Sequence, residues 1–258
     1  MTNKRNRLFE HQAAIISGGL GDIGRATALE FARQGASIAL CDLGNPDTAI
    51  DFVERIKRFG VSCRYTQADV TDPVAVRNWI DETGNSMGTP GIIIANAAMV
   101  TIAGLHKITP GQWSRELRVN LDGAFFLTQY ASAKLVEQHL PGRIVFVGSW
   151  AASSVHPHIP AYSVSKAAVS MLCKCMALEL APHGILVNEI APGYVNAGLS
   201  GRLWENNPEQ LEKARLKVPV KKIMTAKMVA QQVSYLCHPR NEHITGATLL
   251  MDGGLSLL

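Results

Sequence analysis

From residue 13 onward, short apolar runs alternate with longer segments in which apolar side chains recur at helical spacing. Ala13 to Ser17 reads as a first strand, followed by a glycine turn. In the segment from Ile23 to Gln34, Ile23, Ala26, Leu29 and Phe31 share helical spacing, and Gly35 stops the helix. Ser37 to Cys41 is a second strand that ends in Asp42. Asn45-Pro46 then opens a helix to about Phe59, closed by Gly60. A third strand covers Ser62 to Ala68, and Asp72-Pro73 caps a helix that fades near Met87. Ile92-Ile93-Ile94-Ala95 is apolar throughout, as a central parallel strand buried on both faces should be. Thr109-Pro110-Gly111-Gln112 fits a capping box for a helix to roughly His139. A strand at Arg143–Val147, a helix at Pro160–Ala181 and a strand at Ile185–Ile190 follow. A less regular stretch, Pro192 to Lys222, precedes a helix at Thr225–His238 and a last strand at Ala247–Met251.

This alternation implies an α/β fold: a parallel sheet with right-handed crossovers and helices on both faces, in one doubly wound domain spanning 1–258. The helix at 160–181 is apolar around most of its circumference, so a second subunit is expected to cover it. Composition excludes several classes. At 47% hydrophobic the chain can bury a full core, and its net charge of +4 is small. The basic clusters Lys4, Arg5, Arg7 and Lys221-Lys222 are short, so no nucleic-acid partner is expected. The five cysteines are odd in number and form no Cys-x-x-Cys. Neither disulfides nor a metal site is expected, and His156 and His158 do not match a zinc spacing. No apolar run is long enough for a signal peptide or a membrane span. A cytoplasmic location is the expectation.

Three stretches carry chemistry. Ser17-Gly18-Gly19-Leu20-Gly21-Asp22-Ile23-Gly24 lies between strand and helix, where glycines let backbone approach a pyrophosphate and a helix N-terminus attracts it. Asp42, at the end of the next strand, can accept both ribose hydroxyls of NAD and would repel the extra phosphate of NADP. Gly148-Ser149 closes the strand at 143–147. Tyr162 and Lys166 then stand four apart on one helical face. Tyrosine ionises near pH ~10 and is a poor base in neutral water. Lowering that by about three units takes ~4 kcal/mol, which a lysine and a cationic cofactor ring could supply. With Ser149 holding the substrate oxygen, the trio suits removal of an alcohol proton as hydride leaves its carbon.

Over essentially its full length the chain resembles the short-chain dehydrogenase/reductase family, and within it NAD-dependent sugar and polyol dehydrogenases such as glucose 1-dehydrogenase. The family's Thr-Gly-x-x-x-Gly-x-Gly corresponds to Ser17 through Gly24, and its adenine-contacting Asp-Val pair to Asp69-Val70. Its Asn-Ala-Gly segment matches Asn96-Ala97-Ala98, its catalytic asparagine Asn120, its serine Ser149, and its Tyr-x-x-x-Lys the pair Tyr162 and Lys166. Pro192-Gly193 and Asp252-Gly253-Gly254 complete the pattern. The resemblance implies a Rossmann fold whose seven-stranded sheet has the order 3-2-1-4-5-6-7, and a homotetramer. It assigns Tyr162 as general acid/base, Ser149 as the residue orienting the reacting oxygen, and Lys166 as ribose ligand and modulator of Tyr162. Asn120 would hold a water that links Lys166 to solvent. Pro192, Gly193 and Val195 would hold the carboxamide.

The chain departs from the family at three places. Asp22 replaces the middle glycine, and its side chain is expected to turn away from the phosphates and cap the helix. Ser17 replaces threonine, and Asn196-Ala197 stands where a threonine is usual. Substrate walls are expected from Met99–Leu105, Trp150–Ile159 and a covering segment at about 194–222. Trp150, His156, His158, Tyr194, Asn196 and Trp204 are the candidate contacts. The leading expectation is an NAD-dependent oxidoreductase of a secondary alcohol, a sugar or polyol. A ketoacyl or steroid-type carbonyl reductase and a non-catalytic NAD-binding regulator are the alternatives.

Overall fold

A computed structural model describes residues 7–205 and 207–258; for residues 199, 200, 202 and 203 only the backbone is described. Lys4 and Arg5 of the basic N-terminal cluster lie outside the described residues. Seven parallel strands form the main sheet: β1 (Ala13–Ser17), β2 (Ser37–Asp42), β3 (Cys63–Gln67), β4 (Ile92–Ala95), β5 (Gly142–Val147), β6 (Ile185–Pro192) and β9 (Thr248–Met251). Their order is β3-β2-β1-β4-β5-β6-β9, with a separate parallel pair of β7 (Val195–Asn196) and β8 (Met224–Thr225). Counting only the strands of the main sheet, this is the expected 3-2-1-4-5-6-7.

The period-2 alternation of strands divides the core in two. Ile16, Leu40, Ile92, Ile94, Val145 and Val147 face one layer of helices, which includes α1 (Asp22–Arg33), α2 (Ile50–Lys57) and α9 (Ala226–Leu236). Ile15, Cys41, Ile93, Ile144 and Phe146 face the other layer, which includes α3 (Pro73–Met87), α5 (Gly123–Glu137) and α6 (Pro160–Leu180). Each fully buried isoleucine contributes about 1.5–3 kcal/mol of transfer free energy, so a run such as Ile92–Ile94 fixes β4 at the centre of the sheet. The strand order reverses between β1 and β4. Their C-terminal ends therefore splay open into the crevice where such sheets bind ligands.

The local signals that set helix starts are realised. Asp72 accepts from the backbone N–H groups of Val74 and Ala75, and Thr109 and Gln112 form the reciprocal capping box of α4 (Pro110–Leu117). Two expectations are corrected. The helix expected from 109 to 139 is not continuous: α4 ends at Leu117, a π-helical turn spans Arg118–Asp122, and α5 follows. The segment expected to be irregular contains α7 (Gly198–Glu205) and α8 (Pro208–Lys217) besides β7. Cys173 is buried and Cys175 exposed, as side chains two apart on a helix should differ, and the described cysteines are all free.

Candidate active site

A cleft of about 580 Å³ opens at the β1/β4 crevice. Gly18, Leu20, Gly21, Asp22, Ile23 and Gly24 line one side, Asp42 one end, and Asp69, Val70, Asn96, Ala97 and Ala98 the other side. The glycine turn is shaped by contact: a Cβ on Gly24 would lie 2.2 Å from the Gly18 carbonyl oxygen, so no side chain fits where α1 begins against the turn. Leu20 N–H donates to Asp42 Oδ2 at 2.9 Å and Leu43 N–H to Oδ1 at 2.8 Å. The Asp42 carboxylate is thereby fixed at the cleft edge, and each oxygen keeps a lone pair for a ligand hydroxyl.

Ser17, expected at the cofactor, does not line the cleft. It is 2% exposed, and its Oγ accepts from the N–H groups of Asn96 and Ala97, both at 3.1 Å. Asn96 in turn donates to the carbonyls of Ser17 and Gly18 at 2.9 and 3.0 Å. These bonds tie the ends of β1 and β4 together, so Ser17 shapes the cleft from beneath. The expected helix cap by Asp22 is not formed. Gly21 is the N-cap, with no side-chain cap bond, and Asp22 is the first helical residue. Its Oδ2 accepts instead from Gly198 N–H at 2.7 Å, reaching the start of α7 in the covering segment. The carboxylate remains on the cleft wall. Leu43, Ala68, Arg115 and Val119 also line the cleft and were not expected there, while Met99, Ala197 and Gly198 line it from the segments expected as substrate walls.

Beside this cleft stand the residues of β5, the π-helical turn and α6. Gly148 follows β5 because nothing larger fits: a Cβ there would be 1.8 Å from Glu189 Oε1. Ser149 caps the short 3-10 turn Trp150–Ala152, accepting from Ala151 N–H at 3.2 Å. Lys166 is 3% exposed, donates to the Val147 carbonyl at 2.7 Å, and its Nζ lies 5.6 Å from the centre of the Tyr162 ring. Burial pushes the Lys166 ammonium down to about 8, with Glu189 and Glu116 acting in the opposite sense.

Tyr162 is part-buried. Burial raises its phenol above the ordinary value; a hydrogen bond with Ser149 opposes this and the nearby Glu116 adds to it. The expected acidification of Tyr162 is therefore not achieved by the polypeptide alone. Positive charge brought to the cleft by a ligand would act in the lowering direction.

Asn120 is 1% exposed and lies in the π-helical turn, a feature frequent at functional sites. Its Oδ1 accepts from Met99 N–H at 2.8 Å, and its Nδ2 donates to the Met99 carbonyl at 2.9 Å and to Ser165 Oγ at 3.0 Å. Both amide hydrogens and one lone pair of Oδ1 are thus used in tying Met99 to α6.

Pro192 and Val195 are buried, and neither they nor Gly193 lines the cleft described above. The substrate-side candidates form an aromatic ladder. Trp150 stands edge-on to His156 at 4.3 Å and to Tyr194 at 5.5 Å, and Tyr194 to Trp204 at 6.1 Å. His158 and Asn196 are exposed outside it, and His158 O accepts from Ala103 N–H at 2.8 Å, joining two of the expected substrate loops. Among the described residues no cluster of three His, Cys, Asp or Glu side chains could hold a metal ion.

A parallel sheet with a glycine turn and a Ser-Tyr-Lys group beside one cleft defines a dinucleotide-dependent oxidoreductase class. A family model described as enoyl-(acyl carrier protein) reductase matches residues 19–256. The chain is 32% identical over 256 residues to 2,3-dihydro-2,3-dihydroxybenzoate dehydrogenase of Bacillus subtilis (strain 168), covering 96% of this chain and 97% of the relative. It also matches the NAD+-bound xylitol dehydrogenase structure (TM-score 0.88, 29% identity, 95% of this chain and 99% of that one). Gluconate 5-dehydrogenase from Burkholderia cenocepacia J2315, solved with NADP and tartrate, matches with TM-score 0.91 and 27% identity over 98% of each chain. The chain belongs to the short-chain dehydrogenase/reductase family and is an oxidoreductase of that family.

Proposed function

We propose that this chain is an NAD-preferring dehydrogenase of a secondary alcohol, with sugars and polyols as the leading substrate class. The observation that carries the reading is a fixed Asp42 carboxylate on the cleft together with the Ser149, Tyr162 and Lys166 group, which is outside the cleft's lining but joined to it through Asn120, bonded to Met99 on the cleft wall and to Ser165 on α6. The residues present fit a dinucleotide. The turn at Gly18–Gly24 is tight enough for backbone to meet a pyrophosphate, Asp42 would take the adenosine ribose, and Asp69-Val70 the adenine. Asn96–Ala98 and the 192–195 segment would flank the nicotinamide half.

When bound, the nicotinamide supplies the hydride acceptor. The chain's own work is proton handling. Ser149 would hold the alcohol oxygen, and Tyr162 would take its proton. Lys166, anchored on Val147, would present its ammonium to the nicotinamide ribose and favour the phenolate. A water held by Asn120 would link Lys166 to solvent as a proton relay. The segment at 194–222 would close over substrate, with Trp150, Tyr194 and Trp204 as an apolar wall for a ring or chain of C–H groups. The whole chain is read as one dehydrogenase domain, acting in the cytoplasm. Val164, Met171 and Leu178 are exposed on α6, which supports burial of that face in a homotetramer.

A second reading, reduction of the keto group of a ketoacyl thioester, is favoured by similarity to a 3-oxoacyl-[acyl-carrier-protein] reductase of Staphylococcus epidermidis. The intact Ser149, Tyr162 and Lys166 set speaks against a non-catalytic regulator. The test is NADH formation over a panel of sugars, polyols, hydroxyacids, steroids and ketoacyl thioesters, with NAD and NADP in parallel. A polyol or sugar should respond, with NAD favoured by at least about tenfold in kcat/KM, which is ~1.4 kcal/mol. Silence toward every alcohol with both cofactors would sink the enzyme reading. A preference for NADP would sink the role of Asp42.

A further inference from the structure

The group that the proton-handling scheme leaves unexplained is Glu116. It is 0% exposed on α4, one helical turn before Asn120 and so on the same face. Its Oε2 accepts from Thr101 N–H at 2.9 Å, while the buried Oε1 has no hydrogen-bond partner. Among the described residues no lysine, arginine or histidine forms an ion pair with it. Arg115 beside it lines the cleft instead. A carboxyl held dry with one oxygen unused is costly, and a neutral side chain would clamp loop 99–101 as well. Asn120 already does so at Met99, two residues away. What a glutamate adds over such a clamp is charge. Asn120, one turn on from Glu116, donates to Ser165 Oγ on α6 at 3.0 Å, which sets that charge toward Tyr162 and Lys166 on the same helix, the two side chains that exchange and steady the proton.

We infer that Glu116 is a further functional side chain of this site, a positioning residue whose carboxyl sets the charge felt by Tyr162 and Lys166. The inference rests on Tyr162 being the proton-transfer group. Across Lys166 lies a second buried carboxyl, Glu189 on β6. It differs in being satisfied by Ser170 Oγ at 2.7 and 2.8 Å and by Thr248 Oγ1 at 2.6 Å. Both Glu189 oxygens are therefore held by hydroxyl donors, whereas Glu116 keeps Oε1 without a partner. Burial raises the Glu116 carboxyl, while the Thr101 bonds and the charge of Lys166 oppose that. An ionised Glu116 raises Tyr162 and Lys166; a protonated one releases both. As pH climbs, loss of the Glu116 proton makes the Tyr162 proton harder to lose, so the two carboxyl states correspond to a stronger and a weaker phenol acid.

Glu116→Gln tests this, because the amide oxygen still accepts from Thr101 N–H and only the charge is lost. In the full chain without cofactor, tyrosinate absorbance is followed after a rapid pH jump, with Tyr162→Phe subtracted to isolate the Tyr162 phenol. Its titration should fall by about one pH unit in E116Q, the size of a partly screened interaction across several ångströms. The acid limb of kcat/KM for alcohol oxidation should move down by a similar amount, with KM little changed. Glu116→Met should move the limb equally and also raise KM several-fold, since the loop anchor goes. The phenol titration needs no substrate, so it decides the role of Glu116 even if no alcohol is turned over. Superimposable phenol titrations for wild type and E116Q would overturn the inference, as would a change confined to KM. If E116Q and E116M both fail to fold, Glu116→Asp decides instead: it keeps the carboxyl but draws it back by one methylene, so the Tyr162 phenol should titrate at a displaced pH, and an unchanged titration in folded E116D would overturn the inference.

Discussion

The two sides of the cleft are built by opposite means. On the side of β1, α1 and β2, backbone does the shaping: Gly24 meets the Gly18 carbonyl, Leu20 N–H pins Asp42, and Ser17 and Asn96 tie strand ends. Charges there stay at the cleft wall. On the side of β5 and α6, shape is secondary to buried charge. Lys166, Glu116 and Glu189 are each 3% exposed or less. The first side can recognise a ligand without altering anyone's protonation. The second cannot change one charge without moving the others. Substitutions on the two sides should therefore fail in different currencies: binding on one, proton transfer and its pH dependence on the other.

The largest effect should come from the charge side. Tyr162→Phe keeps the ring and removes the phenol, so turnover should fall by about 10³-fold or more, within the range of lost general acid–base catalysis. Cofactor affinity, measured by fluorescence of bound NADH, should change by less than about threefold, ~0.6 kcal/mol. Residual activity close to wild type would show that another group moves the proton, and the division between the two sides would collapse.

Lys166 gives a smaller effect with a distinct pH signature. Its folded-state value of about 8 lies below its ordinary 10.5. The unfolded chain thus binds more protons between those values, and stability rises with pH across that window. Below about 8 the lysine is charged in both states and the full burial penalty applies, of order 3 kcal/mol. Lys166→Met removes the penalty and also the bond to the Val147 carbonyl, worth about 1 kcal/mol. The variant should therefore be more stable than wild type by about 2 kcal/mol near neutral pH, with the advantage fading as pH rises from about 8 toward 10.5. Denaturant midpoints across that range measure it. A difference that is flat with pH, or that grows with it, would mean that Lys166 is not held in a desolvated, coupled site.

The same contrast explains what could be read from the chain beforehand. The main sheet was legible because apolar runs such as Ile92–Ala95 are driven by burial on both faces, which sequence records directly. The glycine turn was legible because close backbone approach leaves glycine as the only fit at Gly24. The break at Arg118–Asp122 was not, since a π-helical turn shifts a hydrogen-bond register that apolar spacing does not report. Helix α8 was missed because it buries no residue and so shows no apolar stripe. Glu116 and Glu189 were passed over because isolated charges read as surface. The one signal for Glu116 was its i, i+4 relation to Asn120, the same rule that paired Tyr162 with Lys166.

Asp22 gives the smallest effect and the finest test, because it is a charge placed on the backbone-built side at the start of α1. Its carboxylate is exposed at the first turn of α1, on the cleft wall, with Oδ2 on Gly198 N–H. The helix end favours that negative charge, but a dinucleotide pyrophosphate needs the same end, so the two anions compete. Asp22→Asn keeps an acceptor for Gly198 N–H and removes the charge. NADH should then bind about threefold tighter at low salt, and the gain should shrink as ionic strength rises, since an exposed charge is screened over a Debye length. The acid limb of kcat/KM should stay where it is, because none of the buried charges has been touched. A limb that moves with Asp22→Asn would mean that charge on the glycine side reaches Tyr162 across the cleft, and that the two sides share one electrostatic field.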